Sequence, residues 1–195
     1  PQYNDRRLEL RRKLLSLAKV FAARAKAAGV ELDVRTSLHN PHAFNHNQVK
    51  RMWAYACRAK KEKTRLKQTL GADLAKDLDH AYKNAYLCLA LEHDALEISL
   101  RIHADAWYDG QNMKNRVTKE GVALWLALLN ALPGYRLRLH DWKGEWICGK
   151  LTREKLEEYV KFYVPAEHAC VVEQRFAAAP GAQNGPAKPS AGEEV

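Results

Sequence analysis

Apolar residues recur at intervals of three and four over residues 5–28, and Leu14, Ala18 and Ala25 belong to this series. Such spacing aligns the apolar side chains along one side of a helix. Gly29 follows directly, at the position where a glycine often ends a helix. The pattern predicts an amphipathic helix at the start of the chain, with its basic residues turned away from the apolar stripe.

The segment that follows predicts a short strand and more helix. Residues 31–37 have the composition of a short strand. Asn45 or Asn47 suits the N-cap of a second helix, which is predicted to continue through the basic run to residue 70. A shorter helical stretch is predicted over residues 72–82.

The hydrophobic period then changes from helical to alternating. Residues 85–91 and 95–104 flank a short polar turn and predict a β-hairpin. The second arm alternates cleanly, which indicates one buried and one solvated face. Its apolar positions are Leu96, Ile98, Leu100 and Ile102, and its polar positions are Glu97, Ser99, Arg101 and His103.

The remaining segments repeat a hairpin and helix order. Residues 105–118 are predicted as a polar loop, and residues 121–132 as a strongly apolar helix that ends at a Pro-Gly pair. A second hairpin is predicted over residues 135–149, followed by a helix over 152–160 and a last strand over 169–176.

These elements predict an α+β fold in which two hairpin-helix units build an antiparallel sheet that packs on helices. Residues 1–83 form a basic helical region and residues 84–176 the α+β core, together one folded unit, and residues 177–195 form a flexible tail of small and polar residues. A Leu-Arg-apolar-His pattern at residues 100–103 recurs at 137–140. Either internal duplication or chance similarity between alternating strands accounts for this repeat.

Composition narrows the protein class. The chain has 195 residues, 47% of them hydrophobic, which is enough for a core. It contains no apolar run of the length that spans a bilayer, and its polar start predicts no export signal. The four cysteines lie far apart inside apolar segments and predict reduced core residues, which favours the cytoplasm. They are Cys57, Cys88, Cys148 and Cys170.

Positive charge is concentrated in the first third of the chain. The formal net charge is +9, whereas residues 1–69 alone carry 17 Lys or Arg against 5 Asp or Glu. Clustered cations attract phosphate backbones through counterion release. We therefore predict nucleic-acid contacts from the basic run and from the solvated face of the two hairpins. The predicted residues are Arg58, Lys60, Lys61, Lys63, Arg65, Lys67, Arg101, Arg136 and Arg138.

A second candidate site is the predicted loop over residues 105–116. Aromatic rings there can stack on a ligand, and amide and guanidinium groups can bond to polar edges. The same residues could equally serve a structural crossover. The residues in question are Trp107, Tyr108, Asn112, Asn115 and Arg116.

Metal and nucleotide sites are less well supported by the sequence. His39, His42 and His46 have ligand-like spacing, but Pro41 separates the first two. Residues 144–150 have the spacing of a phosphate-binding loop but lack the Ser or Thr that should follow the lysine. We predict no metal ion and no cofactor.

Asp141 and Lys143, with Asp105 or Asp109 at a distance, resemble the carboxylate and lysine set of metal-dependent nucleases. Asp and Lys are also ordinary residues of a hairpin turn. The sequence therefore favours a non-enzymatic protein that binds DNA or RNA through a basic surface. A subunit that binds an acidic protein partner is the alternative, and a nuclease is a weaker one.

Overall fold

The computed structural model describes residues 2–36, 51–139 and 146–177. The helices are α1 (Gln2–Ala27), α2 (Lys60–Leu70), α3 (Trp107–Lys119), α4 (Val122–Asn130) and α5 (Arg153–Phe162). The strands are β1 (Leu32–Thr36), β2 (Arg51–Arg58), β3 (Ala85–Glu92), β4 (Ala95–Ile102), β5 (Arg136–Leu139), β6 (Trp146–Ile147) and β7 (Cys170–Ala177). A single turn of 3-10 helix spans Ala81–Lys83.

The strands form one seven-stranded antiparallel sheet in the order β1-β2-β3-β4-β7-β5-β6. The last strand, β7, lies between the two hairpins, so β4 and β5 are not neighbours. The predicted α+β class, with an antiparallel sheet packed on helices, is confirmed.

The strand register gives the sheet two different faces, because successive side chains of a strand point to opposite sides. The first, which we call the apolar face, carries Met52, Ala54, Ala56, Leu87, Leu89, Leu91, Leu96, Ile98, Leu100, Ile102, Cys170, Val172, Leu137 and Leu139. The second, which we call the charged face, carries Arg51, Trp53, Tyr55, Cys57, Tyr86, Cys88, Ala90, Glu92, Glu97, Ser99, Arg101, Val171, Glu173, Arg175, Arg136 and Arg138.

Helices pack on the apolar face in two separate groups. Helix α1 covers β1 to β3, where Leu14 and Ala18 contact Ala54 and Leu89. Helices α3, α4 and α5 cover the other end, and Tyr159 of α5 is buried at the centre of that core. The two groups leave a gap between them over the middle of the sheet.

The predicted helix over residues 45–70 is wrong in its first described part, because residues 51–58 form strand β2. Alternation explains the strand: Trp53 and Tyr55 occupy one face, while Met52 and Ala54 occupy the other. Aromatic residues favour strands, and β2 pairs with both β1 and β3. Only the basic run after residue 59 forms a helix, which is α2.

Two further predictions are corrected. Residues 107–118 of the predicted polar loop belong to helix α3. Most of the predicted helix over 72–82 consists of turns, in which the Asn84 side-chain amide donates to the carbonyl groups of Leu78 and His80 at 2.8 and 2.9 Å. The strand β1, both hairpins, the helices α1, α4 and α5, and the last strand occur where the sequence predicts them.

Some predictions fall outside the described residues. They concern the three histidines from His39 to His46, the start of the second helix at Asn45 or Asn47, the Asp141 and Lys143 pair, and the tail after Ala177. Over the described ranges, none of the helices is long and apolar enough to cross a membrane.

Candidate functional site

A glutamate occupies the centre of the charged face. Only 1% of Glu97 is exposed, and its Oε1 accepts hydrogen bonds from Arg51 Nη2 at 2.9 Å, Arg101 Nη2 at 2.6 Å and Ser99 Oγ at 2.6 Å. A buried charge is stable only when it is paired and hydrogen-bonded. The three donors meet that condition because alternation along β4 brings Ser99 and Arg101 to the same side as Glu97.

The electrostatics of this group favour full ionisation. Burial by itself raises the pKa of Glu97, but the hydrogen bonds from Ser99 and Arg101 and the charge of Arg51 outweigh burial and bring that pKa below its ordinary value. Burial likewise acts to lower the pKa of Arg101, and the bond to Glu97 more than offsets it. Glu97 and its arginine partners, Arg51 and Arg101, therefore hold opposite charges in fixed positions.

A second buried carboxylate, Glu173, lies beside this group on β7. Its Oε1 accepts from Arg138 Nη1 at 2.7 Å, and its Oε2 lies 3.6 Å from Arg101 Nη2. The next residue on the same side of β7, Arg175, donates to Glu92 at 2.6 Å and lies 3.6 Å from Glu97. Arg101 thus lies within ion-pair distance of both buried carboxylates.

The arginines at the β7 and β5 end line a cavity of about 520 Å³. Its lining residues are Gly134, Arg136, Arg138, Glu173, Gln174 and Arg175. The side chains of Arg138 and Arg175 remain 42% and 40% exposed although each bonds a carboxylate. A guanidinium has five N–H donors, so each retains donors for an anion.

Three aromatic rings occupy the β2 and β3 end of the charged face. The ring centroids of Trp53 and Tyr55 are 5.6 Å apart, and those of Tyr55 and Tyr86 are 6.2 Å apart in an edge arrangement. Trp53 and Tyr55 are half-buried, whereas Tyr86 is buried. The face therefore combines aromatic surface at one end with arginines at the other.

Helix α2 holds most of the predicted basic run, and several of its cations have partners within the fold. Lys63 is buried and donates to the Asp79 carbonyl at 3.3 Å. Lys67 bonds the Asp79 carboxylate at 2.9 Å, and Arg65 bonds Glu62 at 3.3 Å. These residues contribute less free positive charge than their number suggests.

The first turn of α2 is different. Lys60 and Lys61 are exposed, and neither ammonium has a partner within the part of the chain that the structure describes. Ala59 occupies the N-cap position and offers no side-chain acceptor to the first N–H groups. The N-terminus of a helix carries partial positive charge, so two lysines there are electrostatically unfavourable. An anion bound there would offset that repulsion.

The other predicted nucleic-acid residues also include cations with a partner in the fold and cations without one. Arg58 forms an ion pair with Asp109, which also accepts from the Ala85 N–H at 2.6 Å. Arg101 is bound to Glu97, as described above. Arg136 is exposed and has no partner in the described ranges. Of the nine predicted cations, Lys60, Lys61 and Arg136 are those without a partner in the described ranges.

The predicted ligand loop forms helix α3, and the spacings of three and four between Tyr108, Asn112, Asn115 and Arg116 place these residues on one side of that helix. Trp107 and Tyr108 pack edge to face with centroids 5.8 Å apart. Asn115 accepts from Gln111 at 2.9 Å, and Arg116 bonds Glu120 at 2.7 Å. Asn112 is exposed.

Neither cysteine nor metal chemistry stands out in the described residues. All four cysteines are buried thiols, and burial raises the pKa of each, to about 11 at Cys170. A raised pKa keeps a thiol protonated and unreactive. Asp105 lies near His103 and Lys83, and residues 2–36, 51–139 and 146–177 contain no group of three potential metal ligands.

Sequence reasoning missed Glu97, Glu173 and Arg175 as members of one network. The signal for Glu97 was present, because it occupies a polar position of the alternating arm of β4. Glu173 and Arg175 alternate in the same way along β7. Their proximity could not be predicted, because it depends on β7 entering the sheet between β4 and β5.

No protein-family model matches this chain, and comparison with curated proteins finds no significant match. Function is therefore inferred from the residues of the chain itself.

Proposed function

We propose that this protein binds single-stranded nucleic acid across the charged face of its sheet. The observation that carries the proposal is that exposed arginines and aromatic rings share one sheet face. Proteins that bind single strands combine cations along the backbone path with aromatic side chains on which bases stack.

Arg136, Arg138 and Arg175 supply the phosphate contacts at one end. They line a common cavity, and the two that bond carboxylates keep half-exposed guanidinium groups. The carboxylates do not make the face negative, since five arginines of β2, β4, β5 and β7 face three glutamates. The buried glutamates fix where the arginines lie.

Tyr55 offers a half-buried ring for base stacking at the other end. The distance from β5 to β2 is four strand spacings, which is about 19 Å at about 4.8 Å each. Lys60 and Lys61 begin the helix that directly follows β2, so two further cations lie within a few residues of the aromatic strand. We expect a bound nucleic-acid strand to contact the arginines and the aromatic rings, with these lysines near its path.

The test measures fluorescence anisotropy of a labelled twelve-nucleotide DNA strand, the matching RNA strand and a duplex, each at several salt concentrations. The triple variant Lys60→Gln, Lys61→Gln, Arg136→Gln removes three unpaired cations. Each phosphate contact with a single strand contributes about 0.7 to the logarithmic salt slope, so the slope should decrease by about 2.

The matched control replaces Lys26, Lys119 and Lys161 by Gln, because these exposed lysines belong to helices of the apolar face. It should keep at least half of the binding affinity. An equal loss in the control would contradict the assigned surface. Absence of binding to all three nucleic acids at low salt would contradict the proposal and favour the acidic protein partner.

A further inference from the structure

The gap between the two helix groups on the apolar face is a cleft of about 620 Å³. Its floor is formed by β3 and β4, one wall by Leu17, Val20 and Phe21 of α1, and the other by α4. Leu100 on the floor is 48% exposed, although β4 is a central strand. An apolar side chain at the centre of a helix-covered sheet is normally buried.

Helix α4 is apolar around its whole circumference, yet none of its residues is buried. Leu128 and Leu132 border the cleft with 53% and 41% exposure. A helix with apolar residues on every side is normally enclosed. An unfilled apolar cleft of this size falls within the usual range of ligand sites, which is about 300–1,000 Å³.

The cleft extends from an exposed mouth to a buried end. Leu17 and Leu128 at the mouth are more than half exposed, whereas Leu156, Tyr159 and Cys170 at the far end are buried. A helix of a partner protein is about 10–12 Å wide, whereas a hydrocarbon chain is one methylene group across. A lining that runs from exposed to buried apolar residues favours the slender chain.

Two polar groups in the lining indicate what chemistry the ligand carries besides its apolar part. Among the described residues that line the cleft, Arg24 is the only charged one, and no partner for it occurs in the described ranges. Trp125 also lines the cleft, and its indole N–H is buried with no hydrogen-bond partner in the described ranges. A cation and an unsatisfied donor both favour an anionic oxygen.

We propose that this cleft binds a long-chain carboxylic acid, with the hydrocarbon chain over β3 and β4 and the carboxylate at Arg24. A methylene group is close in size to a water molecule, which takes about 30 Å³ of liquid, so the cleft has room for a chain of about 15 to 20 carbons. This site lies on the opposite side of the sheet from the proposed nucleic-acid site and does not depend on it.

Binding is measured with cis-parinaric acid, a fatty acid that fluoresces in apolar surroundings, and with its displacement by hexadecanoic acid, decanoic acid and hexadecanol. Hexadecanoic acid should bind at least tenfold more tightly than decanoic acid, because each buried methylene is stabilising. Arg24→Gln should weaken hexadecanoic acid by up to about fivefold and leave hexadecanol unchanged. Lys26→Gln, an exposed neighbour that does not line the cleft, is the control for charge.

Leu128→Glu places a carboxylate at the mouth and should weaken binding at least tenfold. Leu124→Glu is the matched control, because Leu124 is equally exposed on α4 but does not line the cleft. Circular dichroism should show that both variants fold. The proposal is overturned if none of the acids displaces cis-parinaric acid, or if both variants lose the same amount of binding affinity. It is also overturned if the protein is a dimer that both variants dissociate, because that result would assign the apolar surface to a second copy of the chain.

Discussion

The two faces of the sheet differ in how their buried side chains are stabilised. On the apolar face, helices bury leucine, alanine and aromatic side chains but leave a cleft between α1 and α4. On the charged face, Glu97 and Glu173 are buried and accept hydrogen bonds from arginines. The apolar face gains stability from exclusion of water, whereas the charged face gains a fixed arrangement of charges.

The comparison predicts that removal of the Glu97 carboxylate lowers the stability of the protein most. Glu97→Ala should lower the free energy of unfolding by about 3–5 kcal/mol, because it leaves Arg51 and Arg101 partly buried without their shared partner. Urea denaturation measures the change. A loss below about 1 kcal/mol would mean that the network contributes little beyond its packing.

A core substitution on the other face provides the next largest effect. Leu156→Ala should cost about 2–5 kcal/mol, since Leu156 is buried between α5 and the sheet. Leu128→Ala at the mouth of the cleft should cost less than about 0.5 kcal/mol. Equal costs at the two positions, in the same denaturation experiment, would show that the cleft is closed in solution.

The charged face also predicts a specific pH dependence. The pKa of Glu97 is lower in the folded protein than its ordinary value of 4.5, so folding favours the ionised form. This contribution is complete above pH 4.5 and is lost as the pH falls through the lowered pKa. The stability difference between the wild type and Glu97→Gln should therefore decrease on acidification. This assignment is contradicted if the stability difference between the two proteins is the same at roughly pH 7 and pH 3, within the error of denaturant titrations.

The sequence predicts the elements with clear periods, which are α1, the β3–β4 hairpin, α4, α5 and β7. It fails at β2, where arginine, alanine and methionine favour a helix but pairing with two strands decides the structure. It also fails at α3, although Ala106, Gly110 and Val117 form an apolar stripe at helical spacing. Gly110 fits there because its missing side chain leaves room for Tyr163.

The candidate sites could be predicted only in part. Arg136 and Arg138 are correctly expected on a polar strand face, because alternation within one strand is visible in the sequence. Their neighbours Glu173 and Arg175 come from a strand that follows another helix, and no local pattern reveals that. The cleft depends on the distance between α1 and α4, which is a property of packing alone.

The central claim is that the two faces bind different ligands independently. The most direct measurement titrates single-stranded nucleic acid and cis-parinaric acid separately into the wild type, the Lys60→Gln, Lys61→Gln, Arg136→Gln variant and the Leu128→Glu variant. We predict that the first variant loses affinity only for nucleic acid and that the second loses affinity only for the fatty acid. The account is contradicted if either variant loses affinity for both ligands, or if neither variant loses affinity for any ligand.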